Sequence, residues 1–333
     1  MAPIEDQSNS SATVMINRTC LLDEQFLTRM MPPALTTFFI VGMSFNGLTL
    51  WIFYSHMRKK TPIDILMLNL CLGDQFFTFT YPLLIVYHSN NNVWVFGNFM
   101  CKLQVFFIYG FLLTSVFFLT WISIYRCYMI IRPIQFQNRM TRKCTIVLCV
   151  LIWSFAVFCG SPSFFTVSTF ELNGKLHCMS FNQPNIEKNI LASTLLLFAL
   201  SFGIPFIILL VSTLLVQRKL ANLTLTARSQ NGRYAVRMMT IILIIFVICV
   251  LPINITRLTL AIVGQNNCTR FQQLGVVYYC CVLAIYANNV LDPFVYFYAN
   301  TKYRLKLINA IKGIGFCKNL PLAGSSTQSN CES

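Results

Sequence analysis

The sequence predicts an all-α protein, a seven-transmembrane helix bundle with a short amphipathic eighth helix. Three observations carry this. Of the 333 residues, 56% are hydrophobic and only 11% charged, whereas a soluble domain carries charge on about a quarter of its residues. The apolar residues gather into seven runs of about twenty or more, enough to cross a hydrocarbon core of about 30 Å as a helix. The runs lack the period-two alternation of barrel strands, and lipid offers an unpaired backbone no partner, so they are expected to be helices.

The predicted spans are 34–56, 63–88, 98–131, 142–165, 189–217, 233–263 and 272–298. Residues 1–33 hold acidic residues and two Asn-x-Ser/Thr sequons, at Asn9 and Asn17, with no apolar core preceded by basic residues. They are expected to form a glycosylated extracellular N-terminus without a cleaved signal peptide. With that end outside, 18 of the 25 Lys and Arg residues fall in cytoplasmic clusters at 58–60, 126–143, 218–237 and 302–318, where loops near helix ends collect them. The chain therefore reads as a multi-pass plasma-membrane protein. The same sorting accounts for the net charge of +15 through contact with anionic inner-leaflet lipid. It leaves no basic and aromatic surface module for nucleic acid.

Each span carries features that need explaining. The first holds Asn46-Gly47, and the second holds Leu68-Asn69-Leu70 followed by Asp74. A charge at that depth costs about 2.5 to 3.5 kcal/mol on insertion scales and is a functional hypothesis by default. The third contains Ser115 and ends on Arg126, within Ile124-Tyr125-Arg126-Cys127-Tyr128. Alone, Arg126 reads equally well as a snorkelling interfacial residue. The fourth has Trp153, the fifth Pro205, and the sixth Phe246-Val247-Ile248-Cys249-Val250-Leu251-Pro252. The seventh runs through Asn288 and Asn289 to Asp292-Pro293-Phe294-Val295-Tyr296. Each in-span proline removes a helix hydrogen bond, so kinks are expected at Pro205, Pro252 and Pro293. Asp74, Ser115, Asn288 and Asp292 fit either a purely hydrogen-bonded polar core or a cation site, with sodium the favoured ion and no other cofactor expected.

Beyond the spans, residues 299–333 are expected to form a cytoplasmic amphipathic helix and tail. Tyr303, Leu307 and Ile311 recur every four residues and can enter the interface while neighbouring Lys and Arg reach headgroups. Cys317 follows as a candidate for palmitoylation. Of the 14 cysteines, Cys20, Cys101, Cys178 and Cys268 fall on the oxidising side, where disulfides persist. No His/Cys spacing suits zinc.

Taken in order, with Trp94-Val95-Phe96-Gly97 and Cys101 ahead of the third span, these motifs resemble class A (rhodopsin-like) G-protein-coupled receptors over residues 34 to about 312. The resemblance implies a receptor whose extracellular ligand and cytoplasmic heterotrimeric G protein favour the same helix arrangement. It implies that the sixth helix swings about Pro252, with Phe246, and that Arg126, Tyr125, Asp292, Pro293 and Tyr296 belong to the same coupling switch. It also implies disulfides between Cys101 and Cys178 and between Cys20 and Cys268.

More narrowly, the chain resembles the hydroxycarboxylic acid and oxoeicosanoid receptor branch. The carrying stretches are Pro32-Pro33-Ala34-Leu35, Asn46 to Phe53, Phe118-Leu119-Thr120, Ile248 to Pro252 and Asn288 to Pro293. That branch implies an inhibitory-class G protein and a third-helix Arg fourteen residues before the motif Arg; here that position is Leu112. A bidentate guanidinium to carboxylate contact has no substitute in Leu. Tyr125 stands where the motif usually has Asp, which removes an acidic neighbour from Arg126, and Val250 stands where an aromatic pocket floor is usual. Arg257, Ser180 and Tyr286 match positions that the branch uses. With Leu112, Leu113, Phe107 and Phe111 making an apolar third-helix wall, the expected ligand is an elongated lipid or hydrophobic organic acid. Arg257 is then the basic partner, unless it only snorkels to the interface.

A constitutively active or decoy receptor of the same fold is the alternative. A transporter is remote, since no internal repeat is visible and few polar residues would line a path. An enzyme is not expected, because no nucleophile stands with a base. Residues 272–298 also lack the Lys that a retinal Schiff base needs.

Overall fold

Backbone groups in hydrocarbon must bond within their own helix, and every apolar run does so. The computed structural model describes residues 22, 24–55, 60–172, 174–179, 190–221, 230–263, 268–299, 305 and 307. Its helices are α1 Gln25–Ser55, α2 Pro62–Thr78, α3 Tyr81–Ser89, α4 Gly97–Ile131, α5 Pro133–Arg139, α6 Arg142–Gly160, α7 Ser163–Thr166, α8 Ile190–Phe198, α9 Ile204–Ala221, α10 Gln230–Val263 and α11 Cys268–Ala299. A hairpin of β1 Phe170–Leu172 and β2 Lys175–His177 stands between α7 and α8. Among the described residues, seven stretches are long and apolar enough to cross a membrane. They are α1, α2 with α3, α4, α6 with α7, α8 with α9, α10 and α11, in the predicted order.

The boundaries depart from the hydropathy reading where packing or proline overrides it. α1 begins at Gln25, not 34, and carries Pro32 and Pro33 inside it. Leu27, Met31 and Leu35 are buried at four-residue spacing, so an inward stripe extends the helix beyond the apolar run. The second span breaks after Thr78 because Pro82 cannot donate to the Thr78 carbonyl and would clash with it. The fifth opens into a π-helical turn, Ala199–Gly203, just before Pro205; the widened turn accommodates the missing donor. At the far end Leu305 and Leu307 are helical, Leu305 exposed and Leu307 packed against the main core. The rest of the expected eighth helix, with Cys317, lies outside the described residues, as do Asn9, Asn17, Cys20 and Ser180.

The core divides along the bundle axis. Leu66, Met67, Leu70, Phe118, Ile122, Met239, Ile242 and Phe246 centre the larger cluster, towards the Arg126 end. Leu27, Met31, Leu35, Phe77, Tyr81, Tyr279 and Tyr286 form a second cluster. A third surrounds the Cys101–Cys178 disulfide with Tyr87, Trp94 and Val105. Phe158, Phe165 and Ile262 are exposed on the outside of the bundle, which suits a surface whose solvent is lipid.

Candidate functional site

Midway along the bundle, spans are joined through polar side chains. The Ser115 hydroxyl donates to Asp74 Oδ1 at 2.6 Å. Asn289 Nδ2 donates to the Asp74 carbonyl at 3.1 Å and to Thr78 Oγ1 at 2.9 Å, and Asn46 Nδ2 donates to the Asn289 carbonyl at 3.3 Å. Asp74 and Asp292 are fully buried, at 0% and 1% exposure, and lie within hydrogen-bonding reach of each other. Two ionised carboxylates are acceptors only, so among the described residues both Asp292 oxygens lack a donor, as does Asn288 Oδ1. Two buried acids facing each other repel unless a cation or a shared proton intervenes. Two carboxylates, a hydroxyl and an amide oxygen form an all-oxygen set, which suits a hard cation and not zinc.

Nearer the disulfide end, Arg257 on α10 reaches across to the third and seventh spans. Its Nη2 donates to the Tyr109 hydroxyl at 2.8 Å and the Tyr278 hydroxyl at 3.2 Å. The guanidinium also lies 5.3 Å and 5.9 Å from the centroids of the same rings. Hydrogen bonds and cation–π attraction together hold it inward, which is not the posture of a side chain snorkelling away from the bundle. Tyr286 is buried beneath, with its ring 5.1 Å from Tyr81 and 5.6 Å from Phe77. Its backbone carbonyl accepts from the Tyr81 hydroxyl at 3.4 Å.

The other expected ligand residues go elsewhere. Phe111 stacks on Phe76 at 5.9 Å and Phe107 at 5.3 Å and meets Trp153 edge-on at 6.2 Å; none of these is a partner of Arg257. Leu112 is half-buried against the main core. Tyr109 and Tyr278, which the sequence reading missed, carried a usable signal. Tyr109 lies three residues before Leu112 and so shares its helix face, whereas Phe111 does not.

Between this region and the Arg126 end, Phe246 is 1% exposed and lies parallel to Phe202 at 5.6 Å. Asn254 Oδ1 accepts from Ser201 Oγ at 2.9 Å, which ties the π-helical turn to the helix that Pro252 interrupts. Val250 is buried. At the end of α4, the Tyr125 ring meets Phe136 of α5 edge-on at 4.7 Å. Arg126 is half-buried beside it. Pro293 is buried within α11, while the Tyr296 side chain lies outside the described residues.

The Cys101–Cys178 bond spans 5.9 Å between alpha carbons, inside the usual range for a disulfide. Cys268 is also disulfide-bonded; Cys20, its expected partner, is outside the described residues. Trp94, which donates its backbone N–H to the Leu176 carbonyl at 2.7 Å, joins the hairpin to the loop before α4.

Comparison with known proteins agrees with this arrangement. Residues 45–296 match the family described as "7 transmembrane receptor (rhodopsin family)". Purinoceptor 4 of Xenopus laevis is 30% identical over 300 residues, covering 88% of this chain and 56% of that protein. Human purinoceptor 4 is 30% identical over 291 residues, 86% of this chain and 80% of that protein. Human cysteinyl leukotriene receptor 1 is 28% identical over 277 residues, 80% of this chain and 81% of that protein. The chain thus spans little more than half the Xenopus relative and about four fifths of the human ones.

Proposed function

The chain belongs to the rhodopsin family of seven-transmembrane receptors, and on that premise we propose that it binds an extracellular lipid or organic acid and activates an inhibitory-class heterotrimeric G protein. The family is one of receptors, not of enzymes. Under this reading the N-terminus and the hairpin face outside the plasma membrane, and Arg126 faces the G protein.

Arg257 carries the ligand reading. A guanidinium held inward by two tyrosine hydroxyls is a preset cation, and the apolar side chains at Leu112 and Leu113 give it a hydrophobic approach. A ligand with an acidic head and an apolar body complements both. The relatives named above are purinoceptors and leukotriene receptors, so the acid reading rests on Arg257 and not on the likeness to the hydroxycarboxylic acid branch.

The test is a G-protein dissociation panel in cells, run first without ligand and then against carboxylates, lipids and steroids. An acidic agonist is expected to act through the inhibitory class. Arg257→Ala is expected to cost about 2 to 5 kcal/mol of its binding, the usual cost of breaking a desolvated charge pair. An Arg257→Ala receptor at normal surface level with unchanged potency would sink the acid-anchor reading.

A further inference from the structure

Arg126 ends the third span where, on the reading above, the G protein docks, and the residue before it is Tyr125 where receptors of this kind usually have an acid. That substitution leaves a cation without its neighbouring countercharge in sequence. The fold brings one in from another helix. Tyr125 is buried, and its hydroxyl is hydrogen-bonded to the backbone of Ile63 at the start of α2. The next residue is Asp64, a carboxylate only 2% exposed, which interacts electrostatically with Arg126 on the adjoining helix. Tyr125 therefore takes the place of the missing acid sterically and abuts the segment that carries the relocated charge.

Asp64 also has a local duty. Its Oδ2 accepts the Thr61 backbone N–H at 2.8 Å and the Thr61 hydroxyl at 2.6 Å, which caps the first turn of α2 and holds the carboxylate in one orientation. A cap alone would serve as well on the surface, where most such carboxylates sit. Burying an acid is costly unless a charge partner compensates, and Arg126 is the cation on the facing span.

We propose that Asp64 is the positioning acid of the coupling switch: it holds Arg126 in the arrangement described here, in place of the acid missing at 125, and is released when the G protein engages. This rests on the G-protein-coupled reading, and the experiment separates the two.

Purified full-length wild type, Asp64→Asn, Arg126→Gln and the double variant are compared by thermal inactivation in detergent, which needs no G protein. If the pair exists, the double variant loses no more than the worse single; additive losses overturn the proposal. In cells without ligand, Asp64→Asn is expected to raise G-protein dissociation severalfold at matched surface level. Adding Tyr125→Asp to Asp64→Asn is expected to return it to the wild-type level, a rescue that a lost helix cap would not show. Unchanged basal dissociation in Asp64→Asn overturns the proposal. If Asp64→Asn does not reach the surface, the Asp64→Asn/Tyr125→Asp receptor decides: recovered surface level with wild-type basal dissociation supports the relocated charge, and continued loss overturns it. If neither wild type nor any variant engages a G protein, the coupling reading fails, while the thermal cycle still judges the Asp64–Arg126 pair.

Discussion

The two tyrosines on Arg257 set which edge of the guanidinium a ligand meets. Both hydroxyls accept from Nη2, which has two hydrogens, so the three N–H groups on Nη1 and Nε form the edge presented to an acid. Hydrogen bonds to charged groups contribute about 1.5 to 3 kcal/mol each. Tyr109→Phe and Tyr278→Phe are each expected to weaken an acidic agonist by roughly 10- to 100-fold on that scale, with little change for an uncharged one. Concentration–response curves at matched surface expression would show this. Equal potency in both variants would mean that the tyrosines do not position Arg257. At this scale the sequence was half legible. Arg257 and Asp74 stand out because charge in a span demands a reason, but their partners do not. Tyr278 is a tyrosine among many in the seventh span, and only the helix crossing shows that it faces Arg257. Asp64 was invisible for another reason: next to Thr61-Pro62 it reads as a helix start, and its second neighbour comes from a helix two loops away.

The elements show where periodicity suffices and where it fails. Seven apolar runs became seven membrane-crossing stretches because hydrocarbon leaves the backbone no other choice. The breaks at Thr78 and Ala199–Gly203 come from single prolines, Pro82 and Pro205, whose effect on phase a hydropathy window averages away. The hairpin was written in the Asn173-Gly174 dipeptide, since Gly174 takes φ +72°, the conformation that two-residue hairpin loops favour. That hairpin is fastened on two sides, by the Trp94–Leu176 bond and by Cys178 to Cys101 at the top of the third span. It therefore anchors one wall of the ligand region. Removing a native disulfide typically costs about 2 to 5 kcal/mol. Cys101→Ser and Cys178→Ser should each lower surface level and thermal stability by similar amounts, and the double variant should fall no further than either single. A double variant clearly worse than both would show that the cysteines act apart from their bond.

Across the whole molecule, the buried acids lie between the Arg257 region and the Arg126 end, so their occupancy bears on both. In the arrangement described, Asp74 and Asp292 face each other at essentially no exposure, and like charges so placed favour any cation that can enter. A bound sodium ion would therefore stabilise this arrangement. On our reading, agonist and G protein select a different one, in which Arg126 has left Asp64 and the sixth span has moved about Pro252. Ligands that prefer opposite arrangements must weaken each other's binding by the same factor, commonly 5- to 150-fold, or about 1 to 3 kcal/mol. Replacing sodium with a large organic cation should thus raise agonist affinity in wild-type membranes by roughly fivefold or more on that scale. Asp74→Asn removes one of the facing charges and the acceptor for Ser115, and its agonist affinity should become independent of sodium. The measurement is agonist competition binding across a sodium series at constant ionic strength, which separates occupancy from general screening. A wild-type receptor whose agonist affinity ignores sodium would leave the four residues as a hydrogen-bonded core only. Sodium dependence that survived Asp74→Asn would move the cation site away from this pair.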